Sequence, residues 1–176
     1  MKSKKVIRYN TKYLTAFVDI LGFKEALKSK DNRLGNYVDV VQSTLTYLKN
    51  SDPKKDFELV LVSDAVVIAA PWTADSNQTV EERLYHFMYS ICMLQYNLLQ
   101  AGFLSRGGIS IDWLHVDRDT VEGQPIIMGM ALANAYELEQ QSIYPRVIID
   151  PQVFKIAATD LGIANRNLIA GSIAGG

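Results

Sequence analysis

The stretch Phe17-Val18-Asp19-Ile20-Leu21-Gly22-Phe23 puts one carboxylate at the end of an apolar run and a glycine where a helix can begin. Tyr13, Leu14, Ala16, Phe17 and Val18 give the run strand length and a β-rich composition, so it predicts a central strand with Asp19 near its C-terminal end. A carboxylate in that place is costly unless something partners it. The plainest partner is the helix starting near Phe23, which Asp19 could cap.

A second carboxylate changes that reading. Phe57 to Ala70 is two apolar strand-length runs interrupted only by Ser63-Asp64, a hairpin with a short polar tip that can stand beside the end of the Asp19 strand. Neither segment contains Lys or Arg to neutralise the pair. Two aspartates so placed make a site for divalent cations bound through oxygen, and two cations held by shared carboxylates are a device for phosphoryl or nucleotidyl transfer.

These two segments resemble the class III nucleotidyl cyclases, whose first strand reads F-x-D-(I/V)-x-G-F and whose hairpin reads (I/L)-G-D, with Ser63 here in place of the glycine. The resemblance covers about residues 13–150 and implies two Mg²⁺ or Mn²⁺ ions on Asp19 and Asp64, one of them also taking the Ile20 carbonyl. It further implies that Leu21, Gly22 and Phe23 hold phosphate oxygens through backbone N–H groups at a helix start, and that Arg106, in Arg106-Gly107-Gly108-Ile109, contacts a triphosphate. The alternative for Arg106 is a surface arginine on a strand edge. A nucleoside triphosphate carries about four negative charges, which the aspartates would repel without the cations.

The departures from that family are as informative. Where purine cyclases read the base with a lysine and an acidic or polar residue, this chain has Val60 and Ile126, neither of which offers a side-chain hydrogen bond. Gly129 to Glu139 resembles G-x-x-x-N-x-A-x-R-L-E, but Ala133 replaces the Asn and Glu137 the Arg. Asn134 is one position late, a turn of about 100° on a helix. Arg118, Asn134 and Tyr136 are the polar candidates left to compensate.

Loss of both purine readers with retention of both aspartates resembles the pyrimidine cyclases of bacterial antiphage systems, which make cyclic UMP or cyclic CMP for a separate effector protein. On that resemblance the expected substrate is UTP or CTP and the expected assembly a homodimer. A catalytically inactive cyclase-like dimerisation or sensor module is the alternative, suggested by Ala133 and Glu137. A third possibility is another two-metal enzyme on a palm-like core, against which the lack of a G-G-(D/E)-(E/D)-F signature speaks.

Composition limits the rest. A chain of 176 residues, 48% hydrophobic and 21% charged, is long enough for one core, and it reads as one α/β domain spanning residues 1–176. A net charge of −1 argues against nucleic acid as a partner. The single cysteine, Cys92, cannot close an internal disulfide, and His86 and His115 lack zinc-ligand spacing. With no run of transmembrane length or signal-peptide character, the expectation is a cytoplasmic protein without membrane contact.

Along the chain, a short helix from Phe23 to Leu27 is expected to be interrupted by Asp31 to Gly35, before a helix with Tyr37, Val41, Leu45 and Leu48 on one face. Asp52 to Asp56 reads as a loop. Thr79 and Glu82 have capping-box spacing at the start of a long helix that Gly102 can end. Leu84, Phe87, Met88, Ile91, Leu94 and Leu98 mark its core face. A second apolar face of Tyr85, Tyr89, Cys92 and Tyr96 suggests burial on two sides, or else a dimer contact.

Phe103 to Ile111 reads as a strand, followed by Trp113 to Val116, a charged tip at Asp117 to Asp119, and Ile126-Ile127. A helix from Met130 to about Gln141, a strand from Val147 to Asp150, a helix opened by Pro151 and a glycine-rich tail from Asn165 complete the chain. The order is that of an α+β, ferredoxin-like βαββαβ core, with helices covering one face of an antiparallel sheet.

Overall fold

The structure, a computed structural model, describes residues 7, 9–50, 57–72, 79–118 and 125–160. The Asp52–Asp56 loop, Asp119 and the tail from Asn165 lie outside them.

The Asp19 run forms β1 (Lys12–Ile20) in the middle of a five-stranded sheet. The predicted hairpin is β2 (Glu58–Val62) and β3 (Ala65–Pro71), β4 is Ser105–Trp113 and β7 is Val147–Ile149. Strand order is β2-β3-β1-β4-β7, in which the first four are antiparallel neighbours and β7 adds a parallel pairing to β4. This is the ferredoxin-like order with one strand added. A second, two-stranded sheet joins β5 (His115–Asp117) to β6 (Ile126–Met128).

Alternation along β1 decides what lies on each face, because successive side chains point to opposite sides. Leu14, Ala16, Val18 and Ile20 enter the main core with Val66, Ile68, Ile109 and Ile111. The helices on that face include α2 (Arg33–Asn50) with Tyr37 and Val41, α3 (Val80–Gln100) with Phe87, Ile91, Leu94 and Leu98, and α5 (Pro151–Asp160) with Val153, and Ala26 joins them from the short helix after β1. Full burial of a Leu or Phe side chain contributes about 1.5–3 kcal/mol, so this layer dominates stability. Nothing is described of the Leu45 and Leu48 side chains.

The opposite face is also covered, contrary to the one-sided arrangement expected. There α4 (Met130–Gln140) lies along β4 with Ala131, Ala135 and Glu139 buried beneath it. Gly108 allows that approach, since a Cβ would collide with Ala135 O and lie 2.6 Å from Leu138 Cβ and 3.0 Å from Glu139 N. Ser110 Oγ donates to Ala131 O at 2.5 Å one step along. Read along β4, the contacts are Ser110 to Ala131, Gly108 to Ala135 and Arg106 to Glu139.

Helix boundaries follow local chemistry. The Thr79–Glu82 capping box forms in both directions, Glu82 N donating to Thr79 at 3.1 Å and Thr79 N donating to Glu82 at 2.9 Å. α1 (Phe23–Ser29) ends at Lys30, whose φ of 52° reverses the chain. α2 then begins at Arg33, inside the Asp31–Gly35 stretch expected to separate the two helices, because Asp31 accepts from Arg33 N at 2.9 Å and from the Arg33 side chain. Gly102 ends α3 as expected, with φ 83°.

Candidate functional site

Strand register brings the site together. Asp19 lies opposite Ala65 on one side, immediately after the Ser63-Asp64 tip, and opposite Arg106 on the other. At the tip Ser63 takes a left-handed φ of 58°, and Tyr37 Oη donates to its carbonyl at a long 3.4 Å.

The charges of these groups act on one another. Burial holds the Asp19 carboxyl above the ordinary carboxylate range, and the charges of Asp64 and Glu139 raise it further. The Arg106 charge and a hydrogen bond donated by Ile20 N–H oppose that rise without cancelling it. The Tyr37 hydroxyl is pushed up by burial, then by Asp64 and Asp19. One neutral phenol and several carboxylates therefore share one pole of the sheet.

Asp19 is not free of cations, as its own segment suggested. Arg106 Nε stands 3.6 Å from Asp19 Oδ2 and forms an ion pair with Glu139, a side chain only 1% exposed. Neither contact of Nε has hydrogen-bond geometry, and Arg106 Nε and Glu139 Oε1 are both left without a hydrogen-bond partner. Nor is Arg106 on a sheet edge, since β4 has β1 on one side and β7 on the other.

At the turn after β1, Gly22 takes φ 77°, a conformation in which a side chain is strained, and forms the N-cap of α1. Leu21 N–H, expected to hold phosphate, donates instead to Leu104 O at 2.9 Å. It is therefore taken by the fold. Gly22 and Phe23 remain with their N–H groups at a helix start.

The expected base-pocket residues are spread over three elements. Val60 lies on the outer strand β2 opposite Val67, and Ile126 begins β6 and is half exposed. Arg118, just past β5, reaches the buried Glu58 of β2 in an ion pair, which ties the small sheet to the strand carrying Val60. Tyr136 packs edge-on against Phe17 with ring centroids 5.3 Å apart. Asn134 is half buried on α4, while Ala133 and Glu137 are exposed.

Glu139 and Glu58 received no role from the sequence, and Tyr37 only a place on a helix face. The spacing Ala131-Ala135-Glu139 at successive helical turns could have shown that Glu139 continues a buried stripe.

Among the described residues no group of three or more His, Cys, Asp or Glu is gathered closely enough to cage a metal. What Asp19 and Asp64 offer is a small set of hard oxygen donors with surplus negative charge. That fits a cation such as Mg²⁺ or Mn²⁺, which takes one or two carboxylates and fills its remaining positions with water and phosphate.

With this geometry in view, the solved structures can be compared. A dimeric guanylyl cyclase domain of the RhoGC fusion protein from the aquatic fungus Blastocladiella emersonii superposes with a TM-score of 0.61 at 10% identity, covering 86% of each chain. The adenylyl cyclase CyaB from P. aeruginosa gives 0.57 at 18% identity, over 86% of this chain and 82% of that one. A class III adenylyl cyclase-like ATP-binding protein from Pseudomonas aeruginosa gives 0.53 at 13% identity, over 82% of this chain and 34% of that one.

The chain has the class III nucleotidyl cyclase fold. No protein-family model matches the sequence, and no curated protein does. In the cyclase fold seen here, Asp19 and Arg106 come from the adjacent strands β1 and β4, Asp64 from the tip of the β2–β3 hairpin beside β1, and Glu139 from the helix laid over them. Among the described residues no helix is long and apolar enough to cross a membrane.

Proposed function

We propose that this chain is a metal-dependent pyrimidine nucleotide cyclase, converting UTP or CTP into 3′,5′-cyclic UMP or cyclic CMP and diphosphate. The observation that carries the reading is the convergence of Asp19 and Asp64 on one pole of a cyclase fold. In the reaction the ribose 3′-oxygen bonds to the α-phosphorus, the bond to the diphosphate oxygen breaks, and the 3′-hydroxyl proton leaves to solvent. Two divalent cations, Mn²⁺ or Mg²⁺, held by Asp19, Asp64 and the Ile20 carbonyl, would neutralise phosphate charge and polarise the reacting oxygens.

Gly22 and Phe23 present N–H groups to phosphate oxygens, and Arg106 supplies a fixed positive charge beside them. Val60 and Ile126 line the base pocket with Asn134 and Tyr136. Apolar groups at the two purine-reading places leave size and the remaining polar groups to discriminate, which favours the smaller base. The active form is a homodimer in which the partner subunit completes the pocket. Its product serves as an alarm signal in bacterial antiphage defence, read by a separate effector in the cytoplasm, with no nucleic acid partner.

Ala133 and Glu137 favour a second reading, an inactive cyclase-like module that binds nucleotide without turning it over. Incubation with each of the four ribonucleoside triphosphates and Mn²⁺, followed by product identification, separates the two. Cyclic UMP or cyclic CMP supports the first, and bound but unchanged nucleotide the second. Cyclic AMP or cyclic GMP as the main product overturns the assignment of Val60 and Ile126.

A further inference from the structure

Among the described residues one side of α3 enters the core. On the opposite side Tyr85, Tyr89, Tyr96 and Leu99 are 63%, 40%, 56% and 55% exposed, and Cys92 is exposed between them. The intervals along this row alternate four and three, a period of about 3.5 residues that drifts only about 20° per heptad around the helix, as in helices that pack lengthwise on another helix. From Leu84 to Gln100 there is no Asp, Glu, Lys or Arg. Burial on two sides, one expectation for these residues, is therefore not what the fold provides.

We propose that this row is a self-association seam, on which the α3 helices of two copies pack antiparallel about a two-fold axis at Cys92. The pattern is close to the same in either direction from Cys92. Pairing two copies sets Tyr89 against Tyr96 of the second copy and Tyr85 against its Leu99, and the small cysteines meet at the axis. A residue set that matches itself and carries no charge suits a second copy of this chain, because an isologous contact needs self-complementarity and like charges would oppose it.

Five side chains are a minor part of the roughly 20–30 residues a side of a stable interface, so pairing is reversible and concentration-dependent. The seam points away from the sheet, and Asp19 lies on the sheet's other face. It is thus separate from the contact that would complete the nucleotide site, and it stands whether or not the chain is a cyclase.

The chain has one cysteine, so a thiol-linked dimer reports a single contact. The full chain at tens of micromolar is treated with a short bis-maleimide, beside Tyr89→Glu/Tyr96→Glu and, as control, Tyr47→Glu at an exposed position of α2. Thermal unfolding checks that each is folded, and Tyr89→Ser replaces the double variant if that one is not. The expected result is a covalent dimer formed at least tenfold more slowly by the seam variant and unchanged by the control. Sedimentation should show the same loss of association. Equal cross-linking by wild type and seam variant overturns the proposal.

Discussion

Asp19 and Arg106 stand opposite each other in the β1–β4 ladder, with Arg106 Nε 3.6 Å from Asp19 Oδ2. That separation gives attraction without a hydrogen bond, so Arg106 does not saturate the carboxylate, which also accepts from Ile20 N–H. Glu139 competes for the same guanidinium from the helix above. Arg106 is therefore divided between two acids.

Stability should depend on the Asp19 proton. Its carboxyl titrates above the usual range in the folded chain, mainly through burial, so the folded state holds the proton more tightly than the unfolded state does. The associated stability is complete below the unfolded value near 3.8 and is lost as pH rises through the folded value. Asp19→Asn should therefore unfold at a higher temperature than wild type at neutral pH, with the gap closing towards pH 3.8. Each kcal/mol relieved is about 2–4 °C in Tm at this size. A gap that does not change with pH would contradict this.

Mn²⁺ should stabilise the wild-type chain against heat and leave Asp19→Ala and Asp64→Ala unmoved. Saturation at about a hundred times Kd contributes about 2.7 kcal/mol. Both variants should also lose product formation by about a hundredfold or more, the order seen when a charge-stabilising group is removed from an active site. A normal Mn²⁺ shift in either variant would remove that aspartate from the site.

Two glycines should respond oppositely. Gly108→Val drives a side chain into Ala135 and Leu138 of α4 and should cost about 1–3 kcal/mol. Gly35→Ala, in the first turn of α2 with open space around it, should gain about 0.5–1 kcal/mol. Denaturant unfolding of the two variants checks both signs.

Thr79→Ala removes one half of the capping box of α3 and should cost about 0.5–2 kcal/mol. The cap's hydrogen bonds run between Thr79 and Glu82, at the start of α3, so any nucleotide product should form at the wild-type rate in folded protein. Calorimetry alongside a product assay tests the two halves separately.

What was legible in the sequence was what neighbours in the chain decide. The Asp19 strand, the Ser63-Asp64 hairpin, the Thr79 cap, the Gly102 stop and Pro151 all carry their signal within a few residues, and each stands where it was read. Contacts made across the fold were not legible. The Arg106 charge reaches Asp19 only through strand register, and Leu104 O takes Leu21 N–H only once β4 lies beside β1. Nor does apolar character say what covers it: the Tyr85 row of α3 looks like core in composition and is exposed.

The order of the strands has a consequence for how copies of this chain can meet. Among the described residues the sheet ends at β2 on one side and at β7 on the other, and an end strand can recruit a foreign strand through its open backbone groups. β7 offers only three residues and runs into Pro151, which has no N–H to donate. β2 begins at Glu58, whose side chain is held by Arg118. Among the described residues the β7 rim is thus a poor template for strand addition, and β2, with Leu61 exposed, is the edge that a foreign strand could extend.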